Sequence, residues 1–204
     1  MIKIKICGLT RQQDIDIVNS ILPDYVGFVF TESKRRVTPT QALAMKERLN
    51  PCVKAVGVFV NACIEEIVRM CSGGVIDLIQ LHGDEDEAYI SKLKRRFDNP
   101  IIKAIRVQNT QDILASEKLP CDYLLLDAYK ADAYGGTGTS FDYALVPKLQ
   151  KLYFLAGGLN AVNIKQTLAV RPYCLDISSG VETDGIKDAE KIKDIMRLVR
   201  EDHI

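Results

Sequence analysis

Hydrophobic residues occur along the chain in eight short runs, each followed by a turn and a segment of helical periodicity. The runs cover residues 2–7, 25–30, 53–60, 76–82, 100–106, 122–127, 152–157 and 173–179. Their starts are separated by about one strand–helix unit. Since parallel strands need crossover connections, this alternation indicates an α/β fold with a parallel sheet. Eight repeats favour closure into a (β/α)₈ TIM barrel, a single domain over residues 1–204, although the chain is short for that fold.

Four of the connecting segments carry clear helix signals. Residues 38–49 open with Thr38 and Pro39, which suit a helix start, and repeat apolar residues on one face. Residues 85–97 place acidic residues first and basic residues last, which suits the helix dipole. Residues 160–170 and 186–201 repeat apolar residues at spacings of three and four. We predict a helix over each of these four ranges.

Polar residues stand where the predicted strands end, and in a barrel the active site lies at those carboxyl ends. A strand must leave the core through polar residues in any case, and for Asn61 or Arg106 alone this explanation suffices. A thiol, a carboxylate and two glycine-rich turns at the same rim indicate a site instead. The candidates are Cys7, Arg35 or Arg36, Asn61, His82, Arg106, Asp127, Gly157 with Gly158, and Ser178-Ser179-Gly180.

The first strand carries charge on one of its two faces. Residues 3, 5 and 7 point one way along a strand, and residues 2, 4 and 6 point the other way. In a closed barrel Lys3, Lys5 and Cys7 then face the interior, and a buried lysine needs a partner. Strand eight lies beside strand one, so we predict an ion pair between Lys5 and Asp176, with Lys5 favouring the thiolate of Cys7. In an open sheet the two lysines would decorate an exposed edge strand.

Glycine-rich turns follow the predicted strands seven and eight, at residues 154–164 and 176–185. Glycine lets backbone N–H groups approach an anion, and barrels commonly bind phosphate at these two places. A third glycine-rich stretch, residues 134–143, follows strand six and is expected to form a mobile loop over the rim. It lacks the P-loop pattern, and the chain has no dinucleotide-binding fingerprint after a strand. These features predict a small phosphorylated ligand.

Cys7 and Asp127 end strands one and six, and so are expected to face each other across the barrel mouth. A thiol and a carboxylate without metal ligands suggest proton transfer. The thiol as a nucleophile is a second possibility, but the sequence places no histidine beside it. A lone cysteine at a strand end is more often a small buried hydrophobic residue. Its position at the rim, above a lysine, favours the chemical role.

Composition narrows the class of protein further. The chain has 27 basic and 27 acidic residues, which argues against nucleic acid or a membrane surface as a partner held by bulk charge. Six cysteines without C-x-x-C spacing and only two histidines argue against a zinc site. No apolar run approaches the length of a membrane span, and Lys3 and Lys5 interrupt any signal-peptide pattern. We therefore expect a soluble, cytoplasmic protein.

Eight motifs, in order along nearly the whole chain, resemble the phosphoribosylanthranilate isomerase family of tryptophan biosynthesis. Each motif alone is weak, but eight in order are highly specific. The resemblance implies one (β/α)₈ barrel that needs neither cofactor nor metal. The motifs are KICGLT (5–10), GFVF (27–30) with SKRRV (33–37), GVFVN (57–61), QLHG (80–83), LLLDA (124–128), YGGTGTSFD (134–142), GGLN (157–160) and DISSGVE (176–182).

The resemblance also implies the reaction, an Amadori rearrangement of N-(5-phosphoribosyl)anthranilate to 1-(2-carboxyphenylamino)-1-deoxyribulose 5-phosphate. It makes Cys7 the general base, Asp127 the general acid and Arg35 the residue that holds the anthranilate end. The remaining substrate-binding residues are expected to be His82, Gly157, Gly158, Ser179 and Gly180.

The chain departs from the family pattern in two places. Thr139-Ser140 stands where the family often has Lys-Thr, which puts in doubt any electrostatic help from a loop lysine. The phosphate turn reads Ala-Gly-Gly rather than Ser-Gly-Gly, which leaves its backbone donors in place.

Three other functions are compatible with a phosphate-binding barrel. An indole-glycerol-phosphate synthase would need a Lys/Glu set at the strand ends, and an epimerase using paired aspartates or a metal would need more acids and histidines there. A non-catalytic barrel that senses a phosphorylated ligand is a different class of function. The presence of Cys7, Arg35 and Asp127 together argues against a decayed site. A monomer and a homodimer are both compatible with the sequence.

Overall fold

The computed structural model describes residues 1–128 and 142–201, without the side chain of Glu201. Eight parallel strands form a closed barrel in sequence order, with the eighth strand paired to the first. The strands are β1 (Lys3–Cys7), β2 (Tyr25–Val29), β3 (Lys54–Phe59), β4 (Leu78–Leu81), β5 (Ile101–Val107), β6 (Tyr123–Ala128), β7 (Tyr153–Leu155) and β8 (Cys174–Ile177). The predicted closed (β/α)₈ barrel is confirmed.

Helices connect most successive strands and cover the outside of the barrel. They are α1 (Gln12–Ile21), α2 (Pro39–Arg48), α3 (Ile64–Ser72), α4 (Glu87–Lys94), α5 (Thr110–Ser116), α6 (Ile164–Thr167) and α7 (Ala189–Glu201). Short 3₁₀ turns cover Tyr143–Leu145, Leu168–Val170 and Ser179–Val181. A small antiparallel hairpin of β9 (Glu182–Thr183) and β10 (Ile186–Lys187) follows β8. In the sequence this hairpin stands between β8, with its 3₁₀ turn, and α7.

Three of the four predicted helices are present with shifted ends. Helix α2 begins directly after Thr38, whose side chain caps it as predicted. The range 160–170 contains only the short α6 and a 3₁₀ turn, since residues before Ile164 form the turn after β7. The range 186–201 is wrong at its start, because Ile186 and Lys187 pair with β9 and the helix begins at Ala189.

The two faces of β1 separate as predicted. Ile4 and Ile6 are fully buried in the layer between barrel and helices, together with Ile15 and Ile192. Lys5 faces the interior with no exposed surface. Pairing of β1 with β8 places Lys5 opposite Asp176, and the Lys5 Nζ donates to Asp176 Oδ2 over 2.8 Å. The predicted ion pair inside the barrel is confirmed.

Aromatic rings fill the barrel interior toward the amino-terminal ends of the strands. Phe154 is in contact with the rings of Tyr25, Tyr123 and Tyr173 at centroid distances of 5.5–5.7 Å. The ammonium of Lys3 lies 5.4 Å from the ring centroids of both Tyr25 and Tyr173, where cation–π attraction accounts for its inward direction. This packed floor leaves the carboxyl ends of the strands as the place for a cavity.

In the described part of the chain, no helix has the length and apolar character to cross a membrane. The predicted mobile loop at residues 134–143 lies, up to residue 141, outside the described residues.

Candidate active site

A cavity of about 240 Å³ opens at the carboxyl ends of the strands, above the Lys5–Asp176 pair. Every strand except β5 contributes to its wall, directly or through the loop that follows, because parallel strands bring their carboxyl ends to one rim. Val29, Val58 and Ala156 provide an apolar part of the lining. Of the predicted site residues, the cavity is lined by Cys7, Arg35, His82, Asp127, Gly157, Gly158, Ser178 and Ser179.

Cys7 is the last residue of β1 and is 8% exposed. The neighbouring strand makes room for its sulfur at Gly27, where an added Cβ would lie only 2.5 Å from Cys7 Sγ. Burial raises the pKa of the Cys7 thiol above its ordinary value, while the nearby ammonium of Lys5 works to lower it. The predicted influence of Lys5 is therefore present. Burial outweighs the lysine, so the net pKa of the Cys7 thiol lies above its ordinary value in the ligand-free protein.

Lys5 links the thiol to Asp176. Burial by itself would lower the pKa of Lys5, but Asp176 and Cys7 together raise it above the ordinary lysine value. Lys5 is therefore a permanent positive charge under the cavity.

Asp127 ends the inward-facing part of β6 and is 5% exposed. Its Oδ1 accepts from the backbone N–H of Ala128 over 2.9 Å, and its Oδ2 lies 3.2 Å from His82 Nε2. His82 Nδ1 lies 2.8 Å from the amide nitrogen of Gln80, which can only donate. The ring therefore accepts at Nδ1 and carries its proton on Nε2, directed at Asp127. Two donors thus hold the carboxyl group in one orientation.

Arg35 reaches the cavity from the loop after β2. Its Nε and Nη2 donate to the two carboxylate oxygens of Glu182, each over 2.7 Å. Lys187 is also bonded to Glu182, over 2.6 Å from Nζ to Oε1. Arg36 instead pairs with Glu32 and does not line the cavity, although Glu32 does. Of the two candidate arginines, the structure brings Arg35 to the site.

Two turns with free amides border the cavity between β7, β8 and the helices that follow. Gly158 has a positive φ of 61°, and its carbonyl accepts from the side-chain amides of Asn160 and Asn163. The amide N–H groups of Gly158, Ser179 and Gly180 have no acceptor among the described residues. Such a group of amides suits an anion.

Gly180 does not line the cavity. It packs against the backbone of Leu159, where any Cβ would collide with the Leu159 carbonyl oxygen. Its role in the structure is to bring the two turns together.

Asn61 and Arg106 support the rim and do not line the cavity. Asn61 Oδ1 accepts from the backbone N–H of Asp84, and Arg106 forms an ion pair with the Asp84 carboxylate. The structural explanation preferred for both residues is consistent with these contacts. Among the described residues no cluster of histidine, cysteine, aspartate or glutamate has the arrangement of a metal site, and the six cysteines are free.

Sequence reasoning gave no role to Gln80, Glu182 or Lys187. Gln80 has the same strand parity as His82, so alternation along β4 was a usable signal for it. Glu182 stands in the DISSGVE motif, but a motif does not say which residue its carboxylate faces. Lys187 was assigned to a helix, and only the observed hairpin places it opposite Glu182.

Comparison with known proteins matches residues 4–197 to the family model of N-(5'-phosphoribosyl)anthranilate isomerase, called PRAI. The chain belongs to the PRAI family. The N-(5'-phosphoribosyl)anthranilate isomerase of Endomicrobium trichonymphae is 45% identical, over 98% of this chain and 99% of its own length. The predicted family resemblance is confirmed.

Solved PRAI structures share the fold. The crystal structure of the Thermus thermophilus enzyme superposes with a TM-score of 0.87 and 32% identity, covering 98% of this chain and 99% of its own. A PRAI crystal structure in complex with reduced 1-(o-carboxyphenylamino)-1-deoxyribulose 5-phosphate has a TM-score of 0.83 and 32% identity, covering 98% and 100%. These PRAI barrels have the same architecture as the one described above.

Proposed function

We propose that this chain catalyses the Amadori rearrangement of N-(5-phosphoribosyl)anthranilate to 1-(2-carboxyphenylamino)-1-deoxyribulose 5-phosphate, a step of tryptophan biosynthesis. One observation carries the proposal: Cys7 of β1 and Asp127 of β6 line the same cavity, beside two turns whose backbone amides suit a phosphate. Membership of the PRAI family supports the same reaction. The chain acts as one catalytic domain in this proposal.

Ring opening is the first chemical step, and Asp127 is its general acid. The carboxyl group gives a proton to the ring oxygen of the ribose, the C1′–O4′ bond breaks, and C1′ becomes a Schiff base with the anthranilate nitrogen. The backbone of Ala128 and the ring of His82 hold the carboxyl group while it does so. His82 lines the cavity, as expected for a substrate-binding residue. It also orients the carboxyl group of Asp127, a second role that was not expected.

Proton abstraction is the second step, and Cys7 as thiolate is its general base. The sulfur removes the proton from C2′, and the electron pair of that bond moves toward the positively charged Schiff base. The resulting enolamine takes up a proton at C1′ and loses one from the 2′-hydroxyl, which gives the ketone. The protein exchanges only protons with the substrate, and oxidation of C2′ is balanced by reduction of C1′ in the same molecule, so the mechanism calls for no redox cofactor. Lys5, fixed beneath the sulfur by Asp176, stabilises the thiolate when it forms.

Binding is assigned to the groups around these two. The amides of Gly158 and Ser179 take the phosphate, with Gly157 completing the turn and Gly180 holding the two turns together, and Arg35 takes the carboxylate of the anthranilate. The family member crystallised with a reduced product analogue supports a ligand of this size and charge. The six free cysteines favour a reducing compartment, and we place the reaction in the cytoplasm.

Turnover of the substrate tests the proposed function directly. Purified protein mixed with N-(5-phosphoribosyl)anthranilate should abolish the fluorescence of the substrate catalytically, and the product should have the mass of the substrate. Binding without loss of fluorescence would favour the alternative of a phosphorylated-ligand sensor. Absence of both binding and turnover would contradict the proposal.

The pH dependence of kcat/KM follows from the raised pKa of Cys7. Catalysis needs Cys7 as thiolate and Asp127 with its proton. This form and the form with the Cys7 thiol and the Asp127 carboxylate each hold one proton. The ratio of the two forms is therefore independent of pH as long as Cys7 and Asp127 together keep one proton. Above the pKa of the thiol that proton is lost. We expect kcat/KM to be level through neutral pH and to fall about tenfold per pH unit only above the pH at which an ordinary cysteine ionises, because burial raises the pKa of Cys7.

Alkylation of Cys7 by iodoacetamide provides an independent measurement of the same ionisation. Its rate in the substrate-free protein should still be rising at pH 9, because burial holds the pKa above the ordinary value. Saturation of that rate near pH 7 would contradict the assigned protonation state.

A further inference from the structure

The guanidinium of Arg35 is held on one edge only. A guanidinium offers two edges for a bidentate bond, one through Nε and Nη2 and the other through Nη1 and Nη2. Glu182 occupies the first edge with two bonds of 2.7 Å. The second edge has no partner in the described part of the chain. Since Arg35 lines the cavity, this second edge is available to an anion within it.

Glu182 is itself fixed by the hairpin that follows β8. Lys187, opposite Glu182 in the pairing of β9 and β10, donates to Glu182 Oε1 over 2.6 Å. It also donates to the carbonyl of Ser178 over 3.0 Å and is 4% exposed. Hydrogen bonds from Arg35 and Lys187 outweigh the effect of burial and lower the pKa of Glu182. The carboxylate is therefore ionised, and the largely buried group of Arg35, Lys187 and Glu182 keeps one positive charge in excess.

The stem of Arg35 is also restricted. It packs over Gly8, at the end of β1, where an added Cβ would collide with the Arg35 side chain. Stem and head group are thus both held before a ligand arrives. Pre-organisation of this kind lowers the entropy lost on binding.

We propose that Glu182 is a positioning residue, which with Lys187 presents the free edge of Arg35 to the carboxylate of the anthranilate ring. The inference rests on the proposed function and deepens it, since it explains how the aromatic acid is selected. Glu182 does not line the cavity and touches no substrate in this account. It acts only through Arg35.

Two ligands that differ by one carboxylate measure how strongly the site prefers the carboxylate of the anthranilate ring. Reductive amination of ribose 5-phosphate with anthranilate gives an open-chain adduct, and the same reaction with aniline gives its counterpart without the carboxylate. The wild-type protein should bind the anthranilate adduct about 10- to 100-fold more tightly, as expected for a bidentate charged contact. The Arg35→Lys variant should lose most of this preference.

The variant Glu182→Gln tests the proposal. It should lose most of the preference for the carboxylate while binding the aniline adduct like the wild type, and it should raise KM more than it lowers kcat. Glu182→Asp, which keeps the charge on a shorter side chain, should restore part of the preference. Glu190→Gln, an exposed partner of Lys193 on α7, is the matched control and should behave as wild type. A purely structural role for Glu182 would weaken both adducts equally and would overturn the proposal.

A crystal structure of the wild-type protein with the anthranilate adduct keeps the proposal testable if Glu182→Gln does not fold. Arg35 should keep both bonds to Glu182 and bind the carboxylate through its other edge. Release of Glu182 by Arg35, or a carboxylate bound elsewhere, would overturn the proposal. If the wild type turns over substrate and its preference survives in Glu182→Gln, only this inference fails. If the wild type neither binds the anthranilate adduct nor turns over substrate, the proposed function itself fails.

Discussion

Replacing Cys7 with serine is expected to lower kcat by about 10²- to 10⁴-fold, the usual contribution of a general base. A serine hydroxyl fills nearly the same space against Gly27 but does not ionise at neutral pH, so the C2′ proton is left without an acceptor. Binding groups elsewhere in the cavity are unchanged, so KM should stay close to that of the wild type. kcat and kcat/KM should therefore fall together. Steady-state kinetics by loss of substrate fluorescence measures both.

Cys174→Ser is the matched control for this change. Cys174 is a buried interior cysteine at the start of β8, and it does not line the cavity. This variant should keep the wild-type kcat, with any cost confined to thermal stability. A Cys7→Ser protein with near-normal turnover would remove Cys7 from the mechanism.

Asp127→Asn should also lower kcat by about 10²- to 10⁴-fold, because an amide of the same size has no proton to give to the ring oxygen. The two variants should differ in which step limits the rate. Proton abstraction limits Cys7→Ser, so substrate deuterated at C2′ should react more slowly than protonated substrate. Ring opening limits Asp127→Asn, so the same isotope should have little effect there.

Asp122→Asn is the control on the same part of the chain. Asp122 precedes β6 at the opposite end of the barrel and accepts from the backbone of Ile101 and the side chain of Lys94. Its replacement should affect stability and leave kcat unchanged. Near-normal turnover in Asp127→Asn, or a full isotope effect in that variant, would contradict the role of general acid.

The barrel interior was predictable to the level of a single ion pair. Alternation along β1 put Lys5 inside, closure put β8 beside β1, and the need of a buried cation for a partner selected Asp176. Each step uses a rule of strand geometry or solvation that depends on few residues. The rim residues that line the cavity followed from the same reasoning, since a parallel barrel brings all carboxyl ends together.

Prediction from the sequence failed in two cases. One depended on opposing effects on a pKa, and the other on the pairing of two short strands. Sequence indicates that Lys5 lies below Cys7, but the net pKa of the thiol depends on how deeply the sulfur is buried. Residues 186–201 have one continuous helical pattern, yet Ile186 and Lys187 pair with β9, because tertiary pairing overrides local periodicity. Without that hairpin the contact of Lys187 with Glu182 could not be foreseen.

A crystal structure with reduced 1-(o-carboxyphenylamino)-1-deoxyribulose 5-phosphate tests most directly whether Cys7 and Asp127 act on one molecule. We expect Cys7 Sγ at about 3 to 3.5 Å from C2′, and an oxygen of Asp127 within hydrogen-bond distance of the 4′-hydroxyl, which was the ring oxygen. The phosphate should lie on the amides of Gly158 and Ser179. A ligand that occupies the cavity but leaves either Cys7 or Asp127 out of contact with its sugar carbons and oxygens would contradict the account.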